Sequence, residues 1–349
     1  MVTQYATRPR PYGSAPTKSI DTLFTRLQRA GIGRKFVRTH VLPDWWDDSI
    51  ATTEAGYLEA AAIVARNLSL DLVCLCDDSV PIAYRDLGRA RFKKRAGITS
   101  ERMTWPKTIA LRAAELACHA LESPAGAIPN ASSTIRDQIL SVGNAHVTLP
   151  SLLDYCWSIG MPVIHVSTFP SNTAKMDAVT SVLGGRPAIA VSRSSSHDAW
   201  LMFLIAHEMG HIALGHLANE PILVDEHVRG RDSDPEEIAA NRFAIEVLAG
   251  DPGLSCSAGA RWPTAQQLSG LARVAGLEHR VDPGVLVLNF GWTNDLWPLA
   301  NAALKILEPD ADAPAVIRAK MEEWLCWDRL PAESAAFLRR ITSCQSERD

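Results

Sequence analysis

The stretch of sequence that decides the fold is LMFLIAHEMGHIALG, residues 201–215. It carries His207 and His211 four positions apart, with Glu208 directly after the first histidine. On an α-helix, positions i and i+4 share one face, so both imidazoles can reach one metal ion, and Glu208 lies where it can contact the ion's water. The apolar flanks predict a buried helix, and buried polar side chains need a partner. The motif therefore predicts a zinc site with Glu208 as general base.

A second helix is predicted to supply the third ligand, because a hydrolytic zinc site has three protein ligands and one open position. Asp234 and Pro235 form an N-cap followed by proline at the first helical position, and they begin a helix that runs to about Leu248. Glu237 lies in the first turn of that helix and is the candidate ligand. Asn241 follows one turn later on the same face, where it can orient a ligating imidazole.

The residues alone leave other third ligands open. Glu236 competes with Glu237, although the residue four positions after Glu236 is Ala240, which offers no polar group. Asp225 and Glu226 lie in the segment between the two helices and are further candidates. All of these are carboxylates, which zinc accepts as ligands alongside imidazole.

His216 follows His211 by five residues, a spacing that differs from the metzincin pattern, in which the third histidine comes six residues after the second. On a continuing helix, five residues turn a side chain away from the face of the pair. We therefore expect His216 to be a helix-end residue that interacts with the last carbonyls.

Residues that precede the motif predict short strands, and so an α+β fold. We expect a small β-sheet in which a hairpin packs on the HExxH helix and on the second ligand-bearing helix. The helix itself is expected to begin near Ser196, a candidate N-cap. Ala188–Ser192 is also a candidate edge with which an extended substrate pairs. The predicted strands are Pro162–Ser167, Ala178–Leu183 and Ala188–Ser192, the last two joined through Gly184 and Gly185.

The composition is that of a globular protein without a general affinity for nucleic acid. The 349 residues are 47% hydrophobic and 21% charged, with a net charge of −4. One basic run, Arg89–Arg95, leaves direct nucleic-acid binding open. The first residues have no apolar signal region, no apolar run is long enough for a bilayer, and the seven cysteines are scattered. We expect a cytoplasmic protein without membrane association.

The region from about Leu149 to Pro252, about a third of the chain, resembles the ImmA/IrrE-type metallopeptidases. Members show a strand, a hairpin ending in an I-x-V/L-S run, a helix with Phe-x-x-A-H-E-x-G-H, and a helix with Glu-x-x-x-Asn-x-Phe-Ala. Here the last three are Ile189–Ser192, Phe203–His211 and Glu237–Ala244. The second helix ends in Val-Leu-Ala-Gly-Asp-Pro where members often have Leu-Leu-Met-Pro, a departure expected to affect packing rather than chemistry.

The resemblance implies a zinc-dependent endopeptidase that holds one Zn²⁺ ion and hydrolyses a peptide bond in a protein partner. It favours Glu237 as the third ligand. The partner implied is a DNA-binding helix-turn-helix repressor, cleaved in a regulatory or stress response. The alternative is a zinc-containing transcriptional regulator or scaffold with incidental or no hydrolytic activity. The presence of Glu208 favours the enzyme, because a purely structural zinc site fills its fourth position with protein and needs no general base.

The chain is expected to divide into four parts: a disordered lead-in (1–19), a helical N-terminal domain (20–125), the zinc metallopeptidase domain (133–255) and a mainly helical C-terminal region (256–349). The N-terminal domain loosely resembles the degenerate helix-turn-helix regions fused to some relatives. In the C-terminal region, Val285–Phe290 is expected to be a short β-like run. His279 and Arg280, just before it, are candidates for a second donor to the oxyanion.

Overall fold

The structure is a computed structural model that describes residues 19–85, 104–171, 173, 176–218, 222–225, 234–256 and 261–343. Residues 1–18 of the expected lead-in and the basic run Arg89–Arg95 lie outside these ranges. The described part is a mixed α/β fold, mostly helical, with one four-stranded sheet. It contains no helix that is both long and apolar enough to cross a bilayer.

Helices account for most of the described chain, in segments of 3–17 residues. The helices are α1 Ile20–Arg29, α2 Arg34–Phe36, α3 Glu54–Asn67, α4 Leu72–Cys76, α5 Thr104–Ala120, α6 Ser132–Ser141, α7 Leu149–Ser158, α8 Asp198–Ala213, α9 Pro235–Ala249, α10 Ala265–His279, α11 Pro283–Asn294, α12 Trp297–Leu307, α13 Ala313–Trp324 and α14 Ala332–Thr342. A π-turn at Val37–Val41 and 3₁₀ turns at Asp48–Thr52 and Trp327–Arg329 complete the set.

The sheet has the order β1-β3-β2-β4 and mixed strand directions. The strands are β1 Val163–His165, β2 Ala178–Leu183, β3 Arg186–Val191 and β4 Ile222–Asp225. β1 pairs parallel to β3, whereas β2 pairs antiparallel to both β3 and β4. The sheet confirms the predicted hairpin: Gly184 and Gly185 both have positive φ, +58° and +84°, as a two-residue hairpin turn with the right twist requires.

β3 lies inside the sheet, so the expectation that Ala188–Ser192 offers a free edge is wrong. β2 occupies one side of β3, and β1 covers the other through the register Val163↔Ile189 to His165↔Val191. α5 and α8 both pack against β2 and β3, and residues of both parities in β3 are buried. The hairpin is therefore covered on both faces as well as along β3.

The run Val285–Phe290 is helical, which corrects the expected β-like run. It lies within α11, whose N-cap Asp282 accepts hydrogen bonds from the backbone of Gly284 and Val285 at 2.8 and 3.3 Å. Every residue from 285 to 290 is buried, so the helix is apolar around most of its circumference. A short continuous apolar run has no periodicity that distinguishes a buried helix from a buried strand.

The last helix packs on the first part of the chain. α14 contacts α3 and α5, and the buried side chain of Ser334 donates to Asn67 Oδ1 at 3.3 Å. Asn67 in turn donates to the Val41 carbonyl at 2.9 Å.

Candidate metal centre

α8 carries the histidine motif through the interior of the protein. From Ala199 to His211 every residue is buried except Phe203, so the helix packs on several sides at once. Its N-terminus is not capped by Ser196 as expected, because His197 is the N-cap residue and makes no side-chain capping bond. Instead, the carboxylate of Glu308, just after α12, accepts a hydrogen bond from the Asp198 backbone at 2.9 Å.

His207, His211 and Glu237 bring three metal-ligating atoms together. The Nε2 atoms of the two histidines are 3.0 Å apart, and Glu237 Oε2 lies 3.5 Å from His207 Nε2 and 3.8 Å from His211 Nε2. Both histidines are fully buried and Glu237 is 8% exposed. The three residues form a group able to hold a metal ion.

The donor set fits a zinc ion. A tetrahedral zinc with bonds of about 2.0–2.1 Å separates its ligand atoms by about 3.3 Å, close to the three separations found here. Two imidazole nitrogens and one carboxylate oxygen are also the ligands of many hydrolytic zinc sites. A carboxylate and two imidazoles enclosed by apolar side chains are costly to bury unless a cation or hydrogen bonds compensate them.

Glu208 directly follows the candidate ligand His207 on α8 and is fully buried. Thr180, a buried residue in the middle of β2, donates a hydrogen bond from its hydroxyl to Glu208 Oε2. The contact fixes one carboxylate oxygen from the sheet side, because a β-branched side chain has few rotamers. This role could not be predicted from the sequence, since threonine is common in strands.

His216 interacts with the last carbonyls of the helix as expected, since its backbone N–H donates to the His211 carbonyl at 3.0 Å, but its side chain also returns to the candidate metal centre. Its Nδ1 lies 2.8 Å from His211 Nδ1, and the two ring centroids are 5.0 Å apart. α8 ends at Ala213, and Gly215 adopts φ +78°, which folds the chain back. If His211 binds metal through Nε2, its Nδ1 carries the ring proton. The Nδ1–H then donates a hydrogen bond to His216 Nδ1, and this bond holds the His211 ring in place.

Gly210 allows α8 and α9 to cross closely enough to join the ligands. A Cβ at this position would lie 3.2 Å from Ala240 Cα and 3.2 Å from Phe243 Cβ, both on α9. Glycine is therefore required by the approach of the two helix backbones rather than by its own φ. Because Glu237 lies one turn before Ala240, this crossing sets how far the Glu237 carboxylate is from the histidines.

Glu236 is not brought into the group. Among the described residues, the cluster contains Glu237 and not Glu236, whose backbone bonds to the Asp234 side chain at 3.0 Å. Asp225 is the last residue of β4, and Glu226 lies outside the described residues.

Asn241 lies one turn beyond Glu237 and lines a pocket beside α8. Its Oδ1 atom is buried and accepts no hydrogen bond from the described part of the chain. The predicted bond to a ligating imidazole therefore stays a prediction.

His279 and Arg280 are exposed at the end of α10, whereas the metal centre is buried. The Arg280 guanidinium donates to the carbonyls of Ala145 and Asn144 at 3.1 and 3.3 Å. The Arg280 side chain is thus bonded to these two carbonyls, and the role of either residue as an oxyanion donor stays a prediction.

Comparison of the chain with protein-family models, curated proteins and solved structures finds no match. The resemblance to ImmA/IrrE-type peptidases rests on the motifs of residues 149–252.

Proposed function

We propose that this protein is a zinc-dependent endopeptidase that hydrolyses a peptide bond in a protein partner. The observation that carries the proposal is the buried carboxylate of Glu208, which is held by Thr180 and directly follows His207 of the group His207, His211 and Glu237. A site that only stabilises a fold needs no such carboxylate, whereas a hydrolase needs a base at this position.

The residues divide the chemistry between them. A bound zinc ion supplies Lewis acidity toward the scissile carbonyl and lowers the pKa of water. Glu208 accepts the proton of the attacking water and passes it to the leaving amine. Thr180 holds the Glu208 carboxylate in the orientation that proton transfer requires, and His216 does the same for the His211 ring. Thr180, Glu208 and His211 are buried and His216 is half-buried. This burial keeps bulk water from competing for the site.

The proposed partner is a helix-turn-helix repressor, and the proposed setting is a regulatory or stress response. Both follow from the family resemblance of residues 149–252.

The test is the substitution Glu208→Gln, which removes the base and preserves the size of the side chain. The wild type and the variant are incubated with a repressor encoded in a neighbouring reading frame, with and without a chelator. We expect cleavage by the wild type alone, abolished by the chelator, and an unchanged metal content in the variant. Glu278→Gln, an exposed position on α10, is the matched control and should cleave like the wild type.

Cleavage by Glu208→Gln at the wild-type rate contradicts the proposal. A biological response that survives this substitution intact supports a regulator or scaffold instead.

A further inference from the structure

A pocket opens between α8, α9, α11 and α12, and its walls are mainly aromatic and aliphatic. Counted with the open solvent at its mouth, it has about 430 Å³ of space, of which about 30 Å³ admits the centre of a water molecule. Phe203, Trp292 and Trp297 form one wall, with Phe203 and Trp292 ring centroids 6.4 Å apart and Trp292 and Trp297 centroids 6.0 Å apart. Ile245 and Leu288 are among the aliphatic lining residues.

The pocket continues the helix faces that carry the metal ligands. On α8, Phe203 precedes His207 by one turn, about 6 Å along the helix axis, and their ring centroids are 6.2 Å apart. On α9, Glu237, Asn241 and Ile245 follow one another at four-residue intervals and so share a face. The walls of the pocket therefore begin one turn away from the ligands on both helices.

The aromatic rings that line the pocket are partly exposed to solvent. Phe203 is half-buried, whereas every other residue from Ala199 to His211 is buried. Trp292 and Trp297 are half-buried as well, so large apolar rings face the opening. Apolar surface exposed in a concavity next to a candidate catalytic centre is typical of a ligand subsite.

The lining also contains a polar atom with unused bonding capacity. Asn241 Oδ1 is buried at the pocket and accepts no hydrogen bond from the residues that the structure describes. A buried acceptor without a donor is costly, and the N–H of a peptide group would satisfy it. The pocket thus combines space for an apolar side chain with an acceptor for the main chain that carries it.

We propose that this pocket selects the substrate by receiving one large apolar side chain, branched aliphatic or aromatic, of a residue next to the cleaved bond. The inference rests on the proposed peptidase function and names the substrate class of that same site. In an extended chain, residues are spaced about 3.3 Å apart, so a residue flanking the cleaved bond reaches a pocket that begins about 6 Å from the ligands.

The experiment measures binding of peptide hydroxamates to the zinc-loaded full-length protein by calorimetry. The hydroxamate group binds zinc, and two series carry the variable side chain on either the amino-terminal or the carboxyl-terminal side of it. Each series contains alanine, leucine and phenylalanine. In one series we expect leucine or phenylalanine to bind at least about tenfold more tightly than alanine, the gain for partly burying two or three further carbon groups.

Two variants locate the gain in the pocket. Ile245→Phe fills it and is expected to reduce the preference over alanine to less than about threefold, with zinc content unchanged. Ile238→Phe makes the same change at a position on α9 that is 54% exposed, and should keep the preference. Trp292→Ala removes one wall instead, and its preference should also fall, which keeps the test informative if Ile245→Phe does not fold.

The failures of the two proposals differ. If all hydroxamates of both series bind equally well, or if the preference survives both Ile245→Phe and Trp292→Ala, the pocket proposal is overturned and the zinc site stands. If no hydroxamate binds and the protein holds no zinc, the peptidase proposal fails and the pocket proposal with it.

Discussion

Replacing Gly210 with alanine should separate α8 from α9 and weaken metal binding. The added Cβ would lie 3.2 Å from Ala240 Cα and from Phe243 Cβ and Cδ1. Ordinary carbon contacts are about 3.5–4.0 Å, so the helices must move apart by roughly 0.3–0.8 Å. Ala240 Cα is a backbone atom and Phe243 Cβ is bonded directly to the backbone of its own residue, so α9 itself has to shift. Glu237 lies on the same helix and moves with it.

The expected magnitudes follow from two opposing terms. Alanine in a helix interior is worth about 0.5–1 kcal/mol more than glycine, whereas overpacking a core costs about 1–3 kcal/mol. We expect the metal-free variant to be about 0–2.5 kcal/mol less stable than the wild type. Metal–ligand bonds tolerate only about ±0.2 Å, so a larger displacement of Glu237 should reduce zinc affinity by at least about tenfold, or about 1.4 kcal/mol.

The assay is a competition titration against a chromophoric chelator, with chemical denaturation of the metal-free protein beside it. Gly270→Ala is the matched control, because nothing lies within 4 Å of a Cβ at that position of α10. The control should gain about 0.5–1 kcal/mol of stability and keep its zinc affinity. If Gly210→Ala binds zinc as tightly as the wild type and is stabilised as much as the control, the reasoning about the helix crossing is refuted.

Three further predictions concern stability and activity. Burial, with Asp282 and Asp198 nearby, raises the pKa of Glu308 to about 7. The protonated side chain therefore contributes fully to the stability of the fold below about pH 4.5, and this contribution is lost as the pH rises through about 7. Glu308→Gln should flatten that fall by about 1 kcal/mol after solvent screening, measured by urea denaturation from pH 5 to 8, and an unchanged slope contradicts it. Thr180→Val should keep the metal but lower kcat about tenfold at constant KM, because Glu208 loses a donor; a rise in KM alone would argue against a positioning role. Phe337→Ala should cost about 3–5 kcal/mol of unfolding free energy, since that ring is fully buried in α14, and a loss under 1 kcal/mol would show that the site collapses around the cavity.

What could be predicted from the sequence is what depends on neighbours along the chain. His207 and His211 come together because helical spacing puts them on one face, and the N-cap Asp234 fixes where α9 begins. The hairpin follows from two adjacent glycines between apolar runs. Glu237 meets the histidines only through packing of α9 on α8. Family resemblance, not spacing alone, favours Glu237 as the third ligand.

The features that the sequence did not reveal depend on contacts between distant segments. Glu308 reaches the N-terminus of α8 from 110 residues away. β3 loses its free edge because β1 pairs with it across the fold. His216 returns to His211 because of the positive φ of Gly215, and a rule for a continuing helix could not foresee that.

The most direct test of the central claim is the metal content of the purified full-length protein, measured by elemental analysis for the wild type and four variants. We expect one zinc per chain in the wild type and in Glu236→Gln, and less than about a tenth of that in His207→Ala, His211→Ala and Glu237→Ala after dialysis. A wild type without bound metal, or a zinc content that survives loss of either histidine, would contradict the assignment of this group as the metal centre.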